Sequence, residues 1–174
     1  EQPPVLRAPE YHGETGQSSI KYEADFVLTK QTTDVLVVGH AYAPGSRAVS
    51  ELDVGFKVGP VQKILRVFGD RIWGSLGPSE PQPFVKMPLV YERAFGGVDS
   101  LSEHPERDWD WSNPVGTGFA VEKSHLADRL LPNIEYPDAR FIEWNDRPPP
   151  AGFGAIAGHW QPRAGLAGTY DDKW

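Results

Sequence analysis

The run LDVGFKVGPVQKILRVF, residues 52–68, decides the fold class. Leu52, Val54, Phe56 and Val58 alternate with Asp53 and Lys57, which gives an extended chain one apolar face and one polar face. Gly59-Pro60 interrupts the alternation, and a second β-rich run, VQKILRVF, continues to Phe68. Two such runs separated by two turn residues predict a β-hairpin. The turn pair is not the Asn-Gly that favours a type I′ turn, so the hairpin is predicted without a particular loop geometry.

Upstream, Ile20, Tyr22, Ala24, Phe26 and Leu28 alternate with Lys21, Glu23 and Asp25, which predicts a half-buried strand over 20–30. The run DVLVVGHAYA, residues 34–43, is almost wholly apolar at its start and predicts a central strand covered on both faces. His40 within it reads as a hydrogen-bonded core or interface histidine. Residues 1–19 are polar and aperiodic and read as an entry segment to one β-rich domain over 20–174. Downstream, residues 69–118 are broken by Pro78, Pro81, Pro83, Pro88, Pro105 and Pro114, which disfavours central strands. A short edge strand is expected within 84–91. A long loop inside a compact domain needs anchors, and Trp73, Phe84, Tyr91, Phe95, Trp109, Trp111 and Phe119 are the candidates. One helix is predicted over 124–131, with Ser124 as N-cap, Leu126 and Leu130 on one face and Pro132 as its stop. A further strand is predicted over 138–144, and Pro148 to Pro150 imply extended, polyproline-like backbone. The fold class expected is all-β, mainly antiparallel and sandwich- or barrel-like, with long Gly/Pro-rich ordered loops and at most one or two short helices.

Composition agrees. The 174 residues include 18 Gly and 17 Pro, together about a fifth of the chain against an ordinary share of about 12%, and such a chain cannot hold many long helices. A net charge of −7 disfavours nucleic acid and anionic membrane as partners. There is no cysteine, so disulfides, thiolate zinc sites and cysteine nucleophiles are excluded. No apolar run approaches the roughly 20 residues that span a bilayer. A cytoplasmic protein is the simplest expectation.

Motifs for catalysis are sparse. Gly152, Gly154 and Ala157 fit a dinucleotide fingerprint only formally, because three prolines precede them and Gly158 and Pro162 leave no room for the helix that the chemistry requires. His12, His40, His104, His125 and His159 include no pair four residues apart for zinc. Asp108, Asp110, Ser112 and Asn113 resemble the opening of a calcium loop, but Asn113 and Phe119 stand where the EF-hand needs Gly and Glu. Carboxylates beside tryptophans in Asp108-Trp109-Asp110-Trp111 would also suit a glycan-active hydrolase or carbohydrate-binding module, with the separation of the acids deciding. No cofactor is expected.

Several loop motifs are more telling in combination. VFGDRIW at 67–73 resembles the GDR-x-W signature of a type VI secretion-associated bacterial family, domain of unknown function 2169. PLVYERAFGG (88–97), NPVGTGF (113–119), LPNIE (131–135), PPPAGFG (148–154), WQPR (160–163) and GTYDDKW (168–174) follow in that family's order, and TDVLVVGHAYAPG (33–45) is similar too. The resemblance implies a non-enzymatic adaptor or chaperone that holds a secreted effector and helps place it on the spike complex, with no catalytic residues. It also implies that the chain is part of a larger domain. The motif residues Asp70, Arg71, Trp73, Glu92, Arg93, Asn113, Asn133, Trp160 and Arg163 are then scaffold. In that reading the arginines clamp carboxylates, and the asparagines beside prolines satisfy loop backbone. Trp109 and Trp111, with Asp108 and Asp110, are the expected exposed contacts for a protein partner.

Overall fold

A computed structural model describes residues 5–25 and 35–156. The predicted hairpin is its longest regular feature. In chain order the strands are β1 (Glu10–Tyr11), β2 (Ile20–Tyr22), β3 (His40–Tyr42), β4 (Glu51–Val58), β5 (Val61–Phe68), β6 (Trp73–Gly74), β7 (Gly77–Pro78), β8 (Lys86–Pro88), β9 (Phe95–Gly96), β10 (Thr117–Gly118) and β11 (Ile134–Glu135). β4 and β5 pair antiparallel in unbroken register from Glu51↔Phe68 to Val58↔Val61. Gly59, at φ +56°, takes the left-handed corner of the turn. Proline at the second corner fixes a negative φ there, which makes the turn type II′ rather than I′.

β11 extends the hairpin on the β5 side, setting Ile134 opposite Val67 and Glu135 opposite Arg66. The remaining sheets have two strands each: β1 with β2, β3 with β8 and β6 with β7 are antiparallel, while β9 with β10 is parallel. The fold is therefore all-β and mainly antiparallel, as expected, but its sheets are small and do not close into a barrel. Among the described residues there is no α-helix, only 3-10 turns at Pro44–Ser46, Tyr91–Arg93 and Lys123–Leu126.

The inner face of β5, Leu65 and Val67, packs with Phe84, Met87, Leu89, Ile134 and Phe153 into one core cluster. A second gathers Ile20, Tyr91, Ala94, Ala155 and Ile156. The third holds the loop region together through Trp73, Phe95, Leu126, Leu131 and Phe141. Phe95 stacks on Phe141 at 5.5 Å between ring centroids, and Trp73 meets Phe141 edge-on at 6.0 Å. Each fully buried aromatic side chain contributes on the order of 1.5–3 kcal/mol of hydrophobic stabilisation. Of the expected anchors, Trp73, Phe84, Tyr91 and Phe95 are buried, Trp109 and Phe119 are half-buried, and Trp111 is exposed.

Several local expectations are corrected. The run from 34 to 43 is not a central strand: residues 35–39 lie outside any strand, only His40–Tyr42 pairs, and Val35, Leu36 and Val38 face solvent. His40 is exposed and so not a core histidine, its ring 6.0 Å from Tyr42. The strand predicted over 20–30 is β2 alone within the described residues, since 26–30 lie outside them. The helix over 124–131 is one 3-10 turn whose N-cap is Glu122 without a side-chain capping bond, and Asp128 at φ +58° ends any continuation. Residues 138–144 form no strand. The Asp146 carboxylate accepts the N–H groups of Ile142 (2.9 Å) and Glu143 (2.7 Å), bending that segment while Phe141 anchors it in the core. The polar stretch 1–19 contributes β1, and the expected edge strand within 84–91 is β8.

Glycine usage follows from close approach as much as from turns. A Cβ built on Gly69 would sit 1.6 Å from the Gln82 carbonyl oxygen. Gly69→Ala is therefore expected to destabilise the fold by about 3 kcal/mol or more. Gly39→Ala, where a Cβ meets nothing within 4 Å, should stay within about 0.5 kcal/mol. Urea unfolding of the two variants side by side checks the contrast.

Candidate functional site

Where β5 ends, the chain turns through Gly69 into Asp70 and Arg71, and both charges act across the fold rather than on their sequence neighbours. Arg71 is 5% exposed and forms an ion pair with Glu135, which is 2% exposed. Its Nε (3.2 Å) and Nη2 (2.9 Å) also donate to the Pro132 carbonyl. Arg140 reaches the other oxygen of Glu135, Nε to Oε2, at 2.7 Å. Both guanidinium groups lie over the Phe68 ring, with Cζ 4.4 Å (Arg71) and 4.5 Å (Arg140) from its centroid. Burial draws the Arg71 guanidinium below its ordinary pKa, and the adjacent Glu135 carboxylate pulls it back.

Asp70 pairs instead with Arg93, Oδ1 to Nη1 at 3.1 Å. Asn133 ties this pair to the backbone: its Oδ1 accepts from Arg93 Nη1 (2.9 Å), and its Nδ2 donates to Asp70 Oδ1 (3.0 Å) and to the Phe68 carbonyl (3.2 Å). Glu92 faces elsewhere, accepting the N–H (2.7 Å) and hydroxyl (2.6 Å) of buried Ser19. Trp73 lies in the third core cluster. Trp160 and Arg163 lie outside the described residues.

Asn113 is wholly buried, and its Nδ2 donates to the carbonyls of Tyr91 and Phe95, each at 2.9 Å. Gly96 packs so closely that a Cβ on it would fall 2.2 Å from the Asn113 carbonyl oxygen. The amide nitrogen of Asn113 is thus engaged by loop backbone, while its Oδ1 is buried without a hydrogen-bond partner among the described residues. No group of three or more His, Asp or Glu among the described residues could hold a metal ion. Asp108 accepts the Ser102 hydroxyl, while Asp110 Oδ1 accepts the Ser112 N–H (2.8 Å) and hydroxyl (2.6 Å). Both carboxylates shape their own turns.

The two tryptophans separate. Trp109 is half-buried and forms a β-bridge with Val98, whereas Trp111 is 57% exposed. The expectation that both are exposed is corrected for Trp109. Around them Val98, Leu101 and Val121 also expose apolar side chains, and their segments are pinned to one wholly buried carboxylate. Asp99 accepts the N–H of Leu101 (3.1 Å) on Oδ1 and that of Val121 (2.9 Å) on Oδ2. His125 Nδ1 lies 2.8 Å from Oδ2, and Arg129 Nη1 lies 3.5 Å from Oδ1. Exposed Glu103 and Glu106 and half-buried Asp108 and Asp110 lie along this face, with exposed Arg107 between them.

Sequence reasoning missed Ser19, Asp99, His125, Arg129, Glu135 and Arg140. For Glu135 a signal existed, a lone acid between Ile134 and Tyr136 in a strand-like run. For Asp99 and His125, 26 residues apart, the sequence offered none.

Two measurements follow from these networks. Glu135→Gln leaves the Arg71 charge buried without its carboxylate and is expected to cost about 3–5 kcal/mol in urea unfolding. For Asp99, burial is the largest influence and pushes its pKa up. The donors from Val121, His125 and Leu101 together outweigh it, so the folded carboxyl lies below its ordinary value. Its contribution is therefore full above the unfolded pKa of about 4 and is lost as pH falls through the lower folded value. Stability should drop on acidification below about pH 4, and Asp99→Asn should flatten that part of the profile while lowering stability at neutral pH.

No described helix is long and apolar enough to cross a membrane. None of the curated proteins and none of the solved structures compared with the chain matches it. A family model described as an uncharacterized protein conserved in bacteria (DUF2169) matches residues 1–174. Covered along its full length, the chain belongs to this bacterial family.

Proposed function

We propose that this protein is a non-enzymatic adaptor or chaperone, working in the bacterial cytoplasm, that binds a type VI secretion effector and helps load it onto the spike complex. The secretion role rests on the ordered loop motifs from VFGDRIW to GTYDDKW and on what their resemblance implies. The binding role rests on the exposed indole of Trp111, 57% accessible, on loops that are already fixed. Tryptophan is a costly residue to leave in water and is enriched in binding hot spots. Here it sits beyond the Asn113 knot and near the segments held by Asp99, with exposed Val98, Leu101 and Val121 beside them. Such pre-ordering reduces the entropy that a partner's docking would cost.

The Asp108 and Asp110 carboxylates each accept a neighbouring serine hydroxyl. Their field, with Glu103 and Glu106, suits a partner segment carrying basic residues, and association should slow as salt rises.

The test is co-purification of the protein with the product of the adjacent effector gene, followed by light scattering. A complex of defined stoichiometry is expected. Trp111→Ala should weaken it by about 30-fold with the thermal midpoint unchanged, whereas Trp109→Ala should also lower the midpoint because that ring is half-buried. Unaltered affinity in Trp111→Ala would overturn the surface. No complex at low salt with spike protein present would overturn the function.

A further inference from the structure

β4 is an edge strand: the sheet order is β11-β5-β4, and among the described residues nothing pairs with its outer side. The register fixes which groups point outward. A two-residue turn makes Val58 and Val61 a hydrogen-bonded pair, so Phe56, Val54 and Leu52 also bond toward β5. Phe68, opposite Glu51, accordingly sends its N–H away from β4 to the Asn133 carbonyl at 2.7 Å. The free edge is therefore formed by the N–H and C=O groups of Glu51, Asp53, Gly55 and Lys57.

Besides charged side chains, long, regular edges are normally blunted by a bulge, a proline or an inward-pointing charge. β4 has none of these across its eight residues. Its charges lie on the outer face, and Asp53 is already taken by Arg66 in two bonds of 2.7 and 2.9 Å. Glu51 and Lys57 remain exposed, at opposite ends of the strand, in no salt bridge among the described residues.

We propose that β4 is a homotypic interface, pairing antiparallel with β4 of a second copy of this chain about a two-fold axis through Val54. In that register Glu51 of each copy stands opposite Lys57 of the other, so the axis generates two complementary charge pairs. Asp53 stands opposite Gly55, and the half-buried inner faces align Leu52 with Phe56 and Val54 with Val54. The hydrogen-bonding parity also agrees. The outward-bonding residues 51, 53, 55 and 57 pair only with one another, and 52, 54 and 56 fall in non-bonded positions. Centring the pair on Asp53 would instead oppose two identical carboxylates. An isologous contact of this kind closes as a dimer and does not propagate. The inference is independent of the effector-binding reading, which concerns the Trp111 loops.

The experiment is sedimentation of the full chain over a range of concentrations, with amide hydrogen exchange alongside. A reversible dimer is expected, with the amides of Asp53, Gly55 and Lys57 gaining protection as concentration rises. Glu51→Lys and Lys57→Glu each set like charges opposite one another twice, and each should raise the dissociation constant by about tenfold. Mixing the two variants should restore wild-type affinity, because the E51K chain then presents two lysines to the two glutamates of the K57E chain. Three results would overturn the proposal: a wild-type monomer throughout, variants that dimerise as well as wild type, or a mixture that fails to recover. So would protection of those amides that does not depend on concentration, which would mean that the chain covers its own edge, or protection gained only with a different protein.

Discussion

Glu135 is the constraint on which the loop region depends. It is a carboxylate inside the protein, and removing such a group from water is costly unless charge and hydrogen bonds replace the lost hydration. Two arginines supply both. Arg71 arrives from the end of the central hairpin and Arg140 from the segment that follows β11, and the two guanidinium groups share the Phe68 ring. Because each partner sits on a different stretch of chain, satisfying Glu135 fixes three segments at once. Next to it, Asn133 adds a second fastening through Asp70 and Arg93, so the end of β5, the 3-10 turn at Tyr91–Arg93 and the entry to β11 are held in one place. Such pairs contribute less to net stability than an apolar packing of the same shape could. What they provide is a single allowed arrangement for long loops that have little regular structure to define them.

The same logic explains how backbone without a sheet or helix can be buried. Every interior N–H and C=O needs a partner, and here side chains serve where ladders are absent. Asn113 feeds two carbonyls, Asp99 takes two amides, and Glu92 takes one amide and a hydroxyl from Ser19. Polar side chains acting at short range require the backbone to come very near, and that requirement selects glycine. Gly96 and Gly116 around Asn113, and Gly152 against the Tyr91 ring, all lie where a Cβ would collide. At these positions glycine is a condition of burying irregular chain.

How much of this was legible depends on the range of the interaction. The hairpin over 51–68 was readable because alternation and a two-residue turn are local, and the anchors Trp73, Phe84, Tyr91 and Phe95 because large apolar side chains in breaker-rich chain have few alternatives. The motif charges were recognisable as clamps, but their partners were not. Arg71 and Glu135 are 64 residues apart and Asp70 and Arg93 are 23 apart, and no periodicity links them. The helix over 124–131 failed for a local reason: the chain turns left-handed at Asp128, so that Leu131 joins Leu126 in the core and Leu130, expected on the buried face, is exposed. In 34–43 hydrophobicity was mistaken for burial, whereas among the described residues of that run only Ala41 and Ala43 are buried. Trp109 and Trp111 illustrate the limit most directly, since two identical residues two positions apart differ in exposure because one is bridged to Val98 and the other is not.

A side chain such as Trp111 can remain in water without cost to specificity only if the chain beneath it cannot rearrange to bury it. In a loop of ordinary flexibility an exposed indole would fold back onto the nearest apolar surface. Asn113, two residues on, is fixed by bonds to Tyr91 and Phe95, and Asp110, one residue before, is fixed by Ser112. The intervening backbone has little freedom left, so the ring is displayed rather than stored. Polar fastening inside and apolar display outside are thus two consequences of one arrangement, and they follow from residues that sequence alone would assign only to turns.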